Sequence, residues 1–217
     1  MGRCKRFFCS LLNFTCPMIL AWAENRKTTQ NLKENAESQH ARARRDCAEV
    51  LRSAQDKTAL LNEIRRWQDQ ETNRRELVDN KAATLFGTAG LAAALTTFLG
   101  GTVISETCGA SSLLYAALGF IAAAILYLAM VLICAAKAQF VRAYYATSAA
   151  TVDKWLSTQE DIQVEVGAEA FTATKLNEDV IRQKMNWLSA GQQSFINAVV
   201  LLFVSAVALL AHIALDC

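Results

Sequence analysis

The chain has 217 residues, of which 53% are hydrophobic and 19% charged, with a single proline and a formal net charge of +2. No Asp, Glu, Lys or Arg occurs within 82–105, 107–136 or 191–215. An average soluble domain is excluded, because each of these runs matches the ~20 apolar residues with which a helix crosses about 30 Å of hydrocarbon. Three transmembrane helices are therefore predicted, at 82–104, 112–136 and 195–215.

The N-terminal arm, residues 1–23, has two interpretations. Three basic residues precede an apolar run, and Ala21-Trp22-Ala23 imitates a small-residue cleavage site, so 7–23 has the features of a signal peptide. The alternative is a short apolar helix, interrupted at Pro17, that lies on the inner leaflet of the membrane.

Residues 24–81 are predicted to form a long cytosolic helix, because good helix formers dominate and neither Gly nor Pro occurs between Ala23 and Gly87. A break or bend is expected near 31–38, where Asn and Ser cluster. Apolar residues follow a seam with a repeat of about 3.5 residues. They are Cys47, Val50, Ala54, Leu61, Ile64 and Val78. Polar residues interrupt this seam, so it indicates one partner in a helical bundle more strongly than a coiled coil.

The first predicted span carries small residues at spacings of 4, 3, 4, 3 and 4 positions along one face. This small-residue face consists of Ala83, Gly87, Gly90, Ala94, Thr97 and Gly101. Small residues let helix backbones approach closely in lipid, where no hydrophobic effect drives helices together. Two partners remain open: the other two spans of the same chain, or copies of this helix around an axis. The second arrangement predicts a narrow water-filled path, since the span is rich in Thr and Gly.

Asp79, Asn80 and Lys81 lie where the charged helix enters the first span. Snorkelling of the Lys81 ammonium to the headgroups explains that residue without any further function. Asp79 and Asn80 are candidates for coupling the cytosolic helix to the membrane segment.

Residues 137–194 form a second predicted cytosolic segment. The helix of the second span is expected to continue over 137–157, a polar loop to follow at 157–169, and helical periodicity to return before the third membrane segment at 195–217. The fold class predicted is an all-α membrane protein, in which three transmembrane helices extend into a cytosolic antiparallel helical bundle.

The distribution of basic residues predicts the topology. Of the 22 Lys and Arg residues, 16 precede the first predicted span and the other six lie between the second and the third. The positive-inside rule therefore predicts a multi-pass protein of the inner (plasma) membrane, with a cytoplasmic N-terminus and an external C-terminus. Cys108 and Cys217 both fall outside in this topology, where an oxidising compartment allows a disulfide between them. His212, a lone titratable residue near the outer end of the third span, is expected to have a packing role.

Motifs for catalysis are missing from the sequence. There is no nucleophile elbow, phosphate-binding Gly loop, HExxH or paired-carboxylate site, so no enzyme activity, metal or cofactor is predicted. The basic residues of 42–75 alternate with acids, which indicates a solvated helix near anionic membrane lipid, and no nucleic-acid partner is predicted.

The junction sequence Val78-Asp79-Asn80-Lys81-Ala82, within ELVDNKAATLFGTAG, resembles a (V/I)DxKA junction that opens the first span in a known family. Together with the short loop before the second span and the helical return, it makes residues 70–195 similar to the SLATT group of small bacterial membrane effectors. More loosely, it resembles the membrane effectors of cyclic-nucleotide-triggered antiphage systems. The third span and the apolar arm depart from that pattern.

The resemblance implies a homo-oligomer that forms or gates a pore and permeabilises the inner membrane in antiphage defence. A soluble sensor or nucleotide-signalling partner would trigger it, because no compact ligand-binding domain is evident. The alternative is a non-conducting membrane scaffold whose cytosolic helices recruit a soluble partner.

Overall fold

A computed structural model describes the backbone of residues 16–106, 112–141 and 162–216, and the side chains of these ranges except 31–37, 98–106 and 215–216. Four helices make up this part of the chain. They are α1 (Pro17–Ser53), α2 (Lys57–Glu106), α3 (Ser112–Phe140) and α4 (Ile162–Asp216). The all-α prediction is confirmed for the described residues, which include no strand.

The segment 24–81, predicted as one long helix, contains parts of two helices, and the backbone is helical throughout 31–38, where a break or bend was expected. α1 runs without interruption to Ser53, and α2 begins at Lys57. The chain breaks here because Asp56 caps α2: its carboxylate oxygen Oδ1 accepts a hydrogen bond from the backbone N–H of Ala59 at 2.9 Å. An aspartate in this position satisfies an amide that has no partner within the helix.

The loop predicted at 157–169 is wrong from residue 162 onward, because α4 already begins at Ile162. Val164 and Ala168, four residues apart on one face, are buried against α1 and α2. Tertiary burial of these two side chains, and ion pairing of the intervening Glu165, stabilise a helix where the local sequence is polar. α3 ends at Phe140, and the continuation predicted over 137–157 lies outside the described residues from 142 onward.

The chain divides into two compact units. The charged unit comprises Glu24–Asp79 and Val141–Met185, and the apolar unit comprises Met1–Ala23, Asn80–Phe140 and Asn186–Cys217. Both α2 and α4 pass from one unit into the other without a break. In α2 the boundary falls between Asp79 and Asn80, within the predicted membrane junction.

Three helices share the core of the charged unit. Its buried members are Cys47, Ala48 and Leu51 from α1, Ile64 from α2, and Val164 and Ala168 from α4. Gly167 lets α4 approach closely, because a Cβ atom there would lie 2.5 Å from Leu61 Cδ2 and 3.2 Å from Leu51 Cδ1.

The apolar unit has its own core, in which Ala89 of α2, Leu128 and Val131 of α3, and Ala198 of α4 are buried together. A Cβ on Gly191 would lie 2.9 Å from Leu85 Cδ2 and 3.3 Å from Cys134 Cβ, so this glycine sets a close helix contact. The Ser205 hydroxyl donates a hydrogen bond of 3.0 Å to the Ala117 carbonyl and joins α4 to α3.

Two of the described helices, α3 and the segment Ile162–Ala214 of α4, are long and apolar enough to cross a membrane. In the most apolar 18-residue stretch of each helix, only 28% of α3 and 22% of α4 is buried inside the fold. Large apolar side chains face outward instead, including Phe203 at 70% and Leu210 at 67% exposure. Such surfaces are typical of contact with lipid or a partner and unlike the core helix of a soluble protein. The first predicted span lies in α2, but the side chains of its last part fall outside the described residues, so that span and the topology remain predictions.

We expect Gly167→Leu to destabilise the charged unit by about 1–3 kcal/mol, because the added side chain must displace Leu61 and Leu51 from a packed contact. Hydrogen exchange of peptides from α1 and the start of α2 measures the local opening free energy. Val166→Leu, on the exposed face next to it, is the matched control and should leave exchange unchanged. Equal exchange in both variants would contradict the close contact at Gly167.

Candidate functional site

The small-residue face of α2 is open. Ala83, Gly87, Ala94 and Thr97 are exposed and Gly90 is partly exposed, while the side-chain position of Gly101 lies outside the described residues. A Cβ atom added to Gly87 or to Gly90 would meet nothing within 4 Å. The described part of the chain therefore leaves this face uncovered where the two glycines lie.

A neighbouring face of α2 makes the contacts within the chain. Ala82, Ala89 and Thr96 are buried, and Leu85, Ala92 and Ala93 pack partly buried against the apolar core. Each buried position precedes a residue of the small-residue face by one, which corresponds to about 100° around a helix. The sequence left open whether the small-residue face packs within the chain, and the structure assigns that packing to the adjacent face.

The threonines of the first predicted span bond to their own helix. The hydroxyls of Thr84, Thr88, Thr96 and Thr97 each donate to the carbonyl four residues earlier, at 2.7–2.9 Å. No hydroxyl hydrogen is left without an acceptor in this part of α2, so lipid would not penalise these side chains heavily. Each oxygen keeps acceptor capacity, so contact with water also remains chemically suitable.

Asp79 forms an ion pair with Lys184 in the charged unit. The Lys184 ammonium donates to Asp79 Oδ1 at 2.5 Å, and the two side chains are 2% and 39% exposed. The pair joins the last turn of α2 in this unit to α4. An ammonium so fully buried requires an anionic partner, because desolvation of an unpaired charge is costly. The other two predicted junction residues, Asn80 and Lys81, are exposed.

Sequence reasoning singled out Asp79 but missed Lys184. A signal was present, because Val180, Ile181, Trp187 and Leu188 define a buried helical face and Lys184 lies at its centre in the same spacing. A lysine at the centre of an apolar face predicts a buried ammonium, although not which carboxylate pairs with it.

A second ion cluster joins α1 to α4. Glu165, whose side chain is 6% exposed, accepts hydrogen bonds from Arg44 at 2.8 Å and from Arg52 at 2.6 Å. Glu169 lies 3.3 Å from His40 Nε2 and 3.5 Å from Arg44 Nε. Charge-assisted bonds to two guanidinium groups fix the register of α4 against α1. The sequence had placed these arginines on a solvated face, so this cluster was also missed.

The remaining predicted residues are placed as follows. His212 is fully buried in α4, as a packing role requires. Cys108 and Cys217 lie outside the described residues, so the disulfide between them stays a prediction. Among the described residues, Cys16, Cys47 and Cys134 are free thiols. Within the described ranges no group of three His, Cys, Asp or Glu side chains is arranged to hold a metal ion.

Comparisons with protein-family models, curated proteins and solved structures found no match to this chain.

Replacing Asp79 by Asn should lower the free energy of unfolding by about 1–3 kcal/mol, because the buried Lys184 ammonium loses its carboxylate while Asp79 itself is partly solvated. The measurement is thermal unfolding in lipid nanodiscs, with hydrogen exchange across 180–188. Lys184→Met added to Asp79→Asn should restore part of the loss, since it removes the buried charge. Asp69→Asn, exposed on α2, is the control. If Lys184→Met changes the free energy of unfolding by the same amount in the wild-type protein and in Asp79→Asn, the two side chains do not interact.

Proposed function

We propose that this protein is a homo-oligomeric membrane effector that forms or gates a pore and permeabilises the inner membrane in antiphage defence. The proposed molecule has three transmembrane segments whose helices extend into a cytosolic antiparallel bundle, with the N-terminus inside and the C-terminus outside. It acts without enzymatic chemistry or a cofactor. The observation that carries the proposal is the open small-residue face of α2.

Two properties make this face suited to copies of the same chain. First, the other helices of the chain already contact the neighbouring face, through Ala82, Ala89 and Thr96. Second, a surface of Gly and Ala offers lipid little area but lets another helix approach its backbone closely. Leu91 and Leu95, exposed beside it, add an apolar rim that a neighbouring subunit could cover. We therefore propose that α2 helices meet around the oligomer axis.

The pore itself is supported by the polarity of the same helix. The hydroxyl oxygens of Thr88 and Thr97 are exposed and can accept hydrogen bonds from water while donating to their own backbone. Around a narrow axis, they would provide water contacts that purely aliphatic side chains lack.

The charged unit supplies the proposed site of activation. The resemblance to SLATT-type effectors suggests that a soluble sensor or nucleotide-signalling partner triggers the protein from the cytosol. The Asp79–Lys184 pair holds α2 to α4 just before α2 enters its charge-free run. A trigger that breaks or strengthens this pair would act directly on the helix that carries the small-residue face.

The internal hydrogen bonds of the threonines favour a second candidate, a non-conducting membrane scaffold whose cytosolic helices recruit a soluble partner. A helix whose hydroxyl groups are already bonded needs no water beside it. This scaffold would associate through the same face, but no ion path would open.

Gly90→Leu tests the proposed association. The Cβ atom of the added side chain meets no atom of the described residues within 4 Å, so we expect the fold to persist while copies of α2 are forced apart. The expected result is an unchanged melting temperature, loss of the oligomer in nanodiscs of increasing size, and loss of conductance in planar bilayers. Native mass spectrometry reports the subunit number.

Gly191→Leu is the matched control, because its side chain would collide with Leu85 and Cys134 inside the same chain. It should lower the melting temperature, which separates a folding defect from an association defect. A wild-type protein that is monomeric in lipid would exclude the homo-oligomer, and an oligomer without conductance under any trigger would favour the scaffold.

A further inference from the structure

A cavity of 780 Å³ lies in the charged unit where α1 ends and α2 begins. Its apolar wall includes Cys47 and Val50 of α1, Ile64 and Trp67 of α2, and Phe171 of α4. The volume is within the range of about 300–1,000 Å³ typical of small-molecule sites, and an aromatic wall with few polar groups is typical of them as well. Trp67 and Val50 are exposed, so an occupant would remove apolar surface from water.

Charged residues around this cavity are mainly acidic. Asp46, Asp56 and Glu63 face a single lysine, Lys175. The partial charges of the two helix ends oppose each other here, because the carbonyl end of α1 lies beside the cavity at Ala54 and the amide end of α2, capped by Asp56, lies beside it as well. The full negative charges on the carboxylates are therefore what favours a cation.

Aromatic side chains lie between carboxylates along the same wall. Glu63, Trp67 and Glu71 succeed one another at four-residue spacing on α2, and the Trp67 and Phe171 ring centroids are 5.9 Å apart. A second cavity of 390 Å³ shares Trp67 and Phe171 with the first and includes Glu71. An aromatic face next to a carboxylate attracts an organic cation through both its quadrupole and its charge.

Glu71 lines the second cavity and not the first. Its oxygen Oε1 is buried and accepts no hydrogen bond from the described residues, while Oε2 lies 3.4 Å from Arg74 Nη1. Because this Oε1 atom is closed to solvent, the carboxylates available to a molecule in the larger cavity are those of Asp46, Asp56 and Glu63.

We infer that this cavity binds an apolar organic cation, with its hydrophobic group against Ile64, Trp67 and Phe171 and its ammonium group near the carboxylates of Asp46 and Glu63. The inference does not depend on the proposed pore, since every residue involved lies in the charged unit. An acidic, aromatic site of this kind would discriminate against anions and against neutral molecules of the same shape.

Three probes that share one apolar group test the charge preference: 1-adamantylammonium, 1-adamantanol and 1-adamantanecarboxylate. Titration calorimetry uses the full chain in lipid nanodiscs, with empty nanodiscs as the baseline. We expect the cation to bind about tenfold more tightly than the alcohol, from one ion pair and one cation–π contact, and the carboxylate to bind most weakly. The preference should shrink at high salt, because the carboxylates are near the surface.

Variants locate the site. Asp46→Asn combined with Glu63→Gln should bring cation and alcohol to similar affinity, whereas Asp69→Asn, an exposed carboxylate outside the cavity, should change nothing. Ala59→Phe should abolish binding of all three probes, because Ala59 lines the cavity and its side chain would fill it.

Cys47 gives a direct readout of occupancy. Burial raises the pKa of the Cys47 thiol, so we expect slow alkylation at neutral pH. The alkylation rate of Cys47 should still increase at pH values where the rate of an exposed cysteine has reached its plateau. Mass spectrometry of the Cys47 peptide should show protection by 1-adamantylammonium but not by the carboxylate.

The inference is overturned by equal affinity for the three probes, by binding no greater than to empty nanodiscs, or by binding that survives Ala59→Phe. Tighter binding of 1-adamantanol than of 1-adamantylammonium would assign the cavity to an uncharged apolar ligand instead. Absence of conductance from the wild-type protein under any trigger, with intact cation binding, would reject only the proposed pore, so the two failures are distinguishable.

Discussion

Hydrocarbon imposes one constraint on any chain that crosses a membrane: every backbone N–H and C=O in lipid must be bonded within the protein. A helix that continues into lipid therefore cannot be interrupted within the hydrocarbon. α2 and α4, 50 and 55 residues long, pass from charged sequence into charge-free sequence without a break. The break at residues 54–56 lies instead in the charged unit, where a polar side chain, Asp56, caps the exposed amides.

Long continuous helices are oriented by their side chains, and polar groups on the inward faces provide that orientation in α4. In α4, Thr172 and Ser194 bond to carbonyls of their own helix, whereas Ser205 bonds across to α3. Lys184 and Glu165 connect the same helix to α2 and α1. A rotation of α4 would break these bonds in a poorly solvated interior, where each unpaired group is expensive.

The features predictable from the sequence are those encoded locally. Charge-free runs predicted apolar helices, and two of them are found in α3 and α4 at membrane length. The spacing of Gly and Ala in α2 located a distinctive face, but not its exposure, because exposure depends on which neighbouring face the other helices cover.

The loop prediction at 157–169 failed because contacts distant in sequence decide the structure there. Val164 is buried, and Glu165 pairs with arginines more than a hundred positions away, which stabilises a helix from residue 162 onward. Lys184 shows the limit most clearly, since its burial was encoded by helical spacing but its partner was not.

The apolar unit has two kinds of exposed surface, and their difference bears on which helix meets a partner. α3 and α4 present bulky side chains such as Leu126, Phe203 and Leu210, which give lipid chains a large, irregular apolar surface. α2 presents Gly87, Gly90 and Ala94, where a neighbouring helix can approach the backbone more closely than lipid packs against it. α3 also exposes the small residues Ala116 and Gly119, whereas the regular spacing of small residues along one face distinguishes α2. In the described residues the buried face of α2 lies about 100° from the small-residue face, so another helix can pack against the second face without displacing the contacts of the first, and the proposed association uses this arrangement.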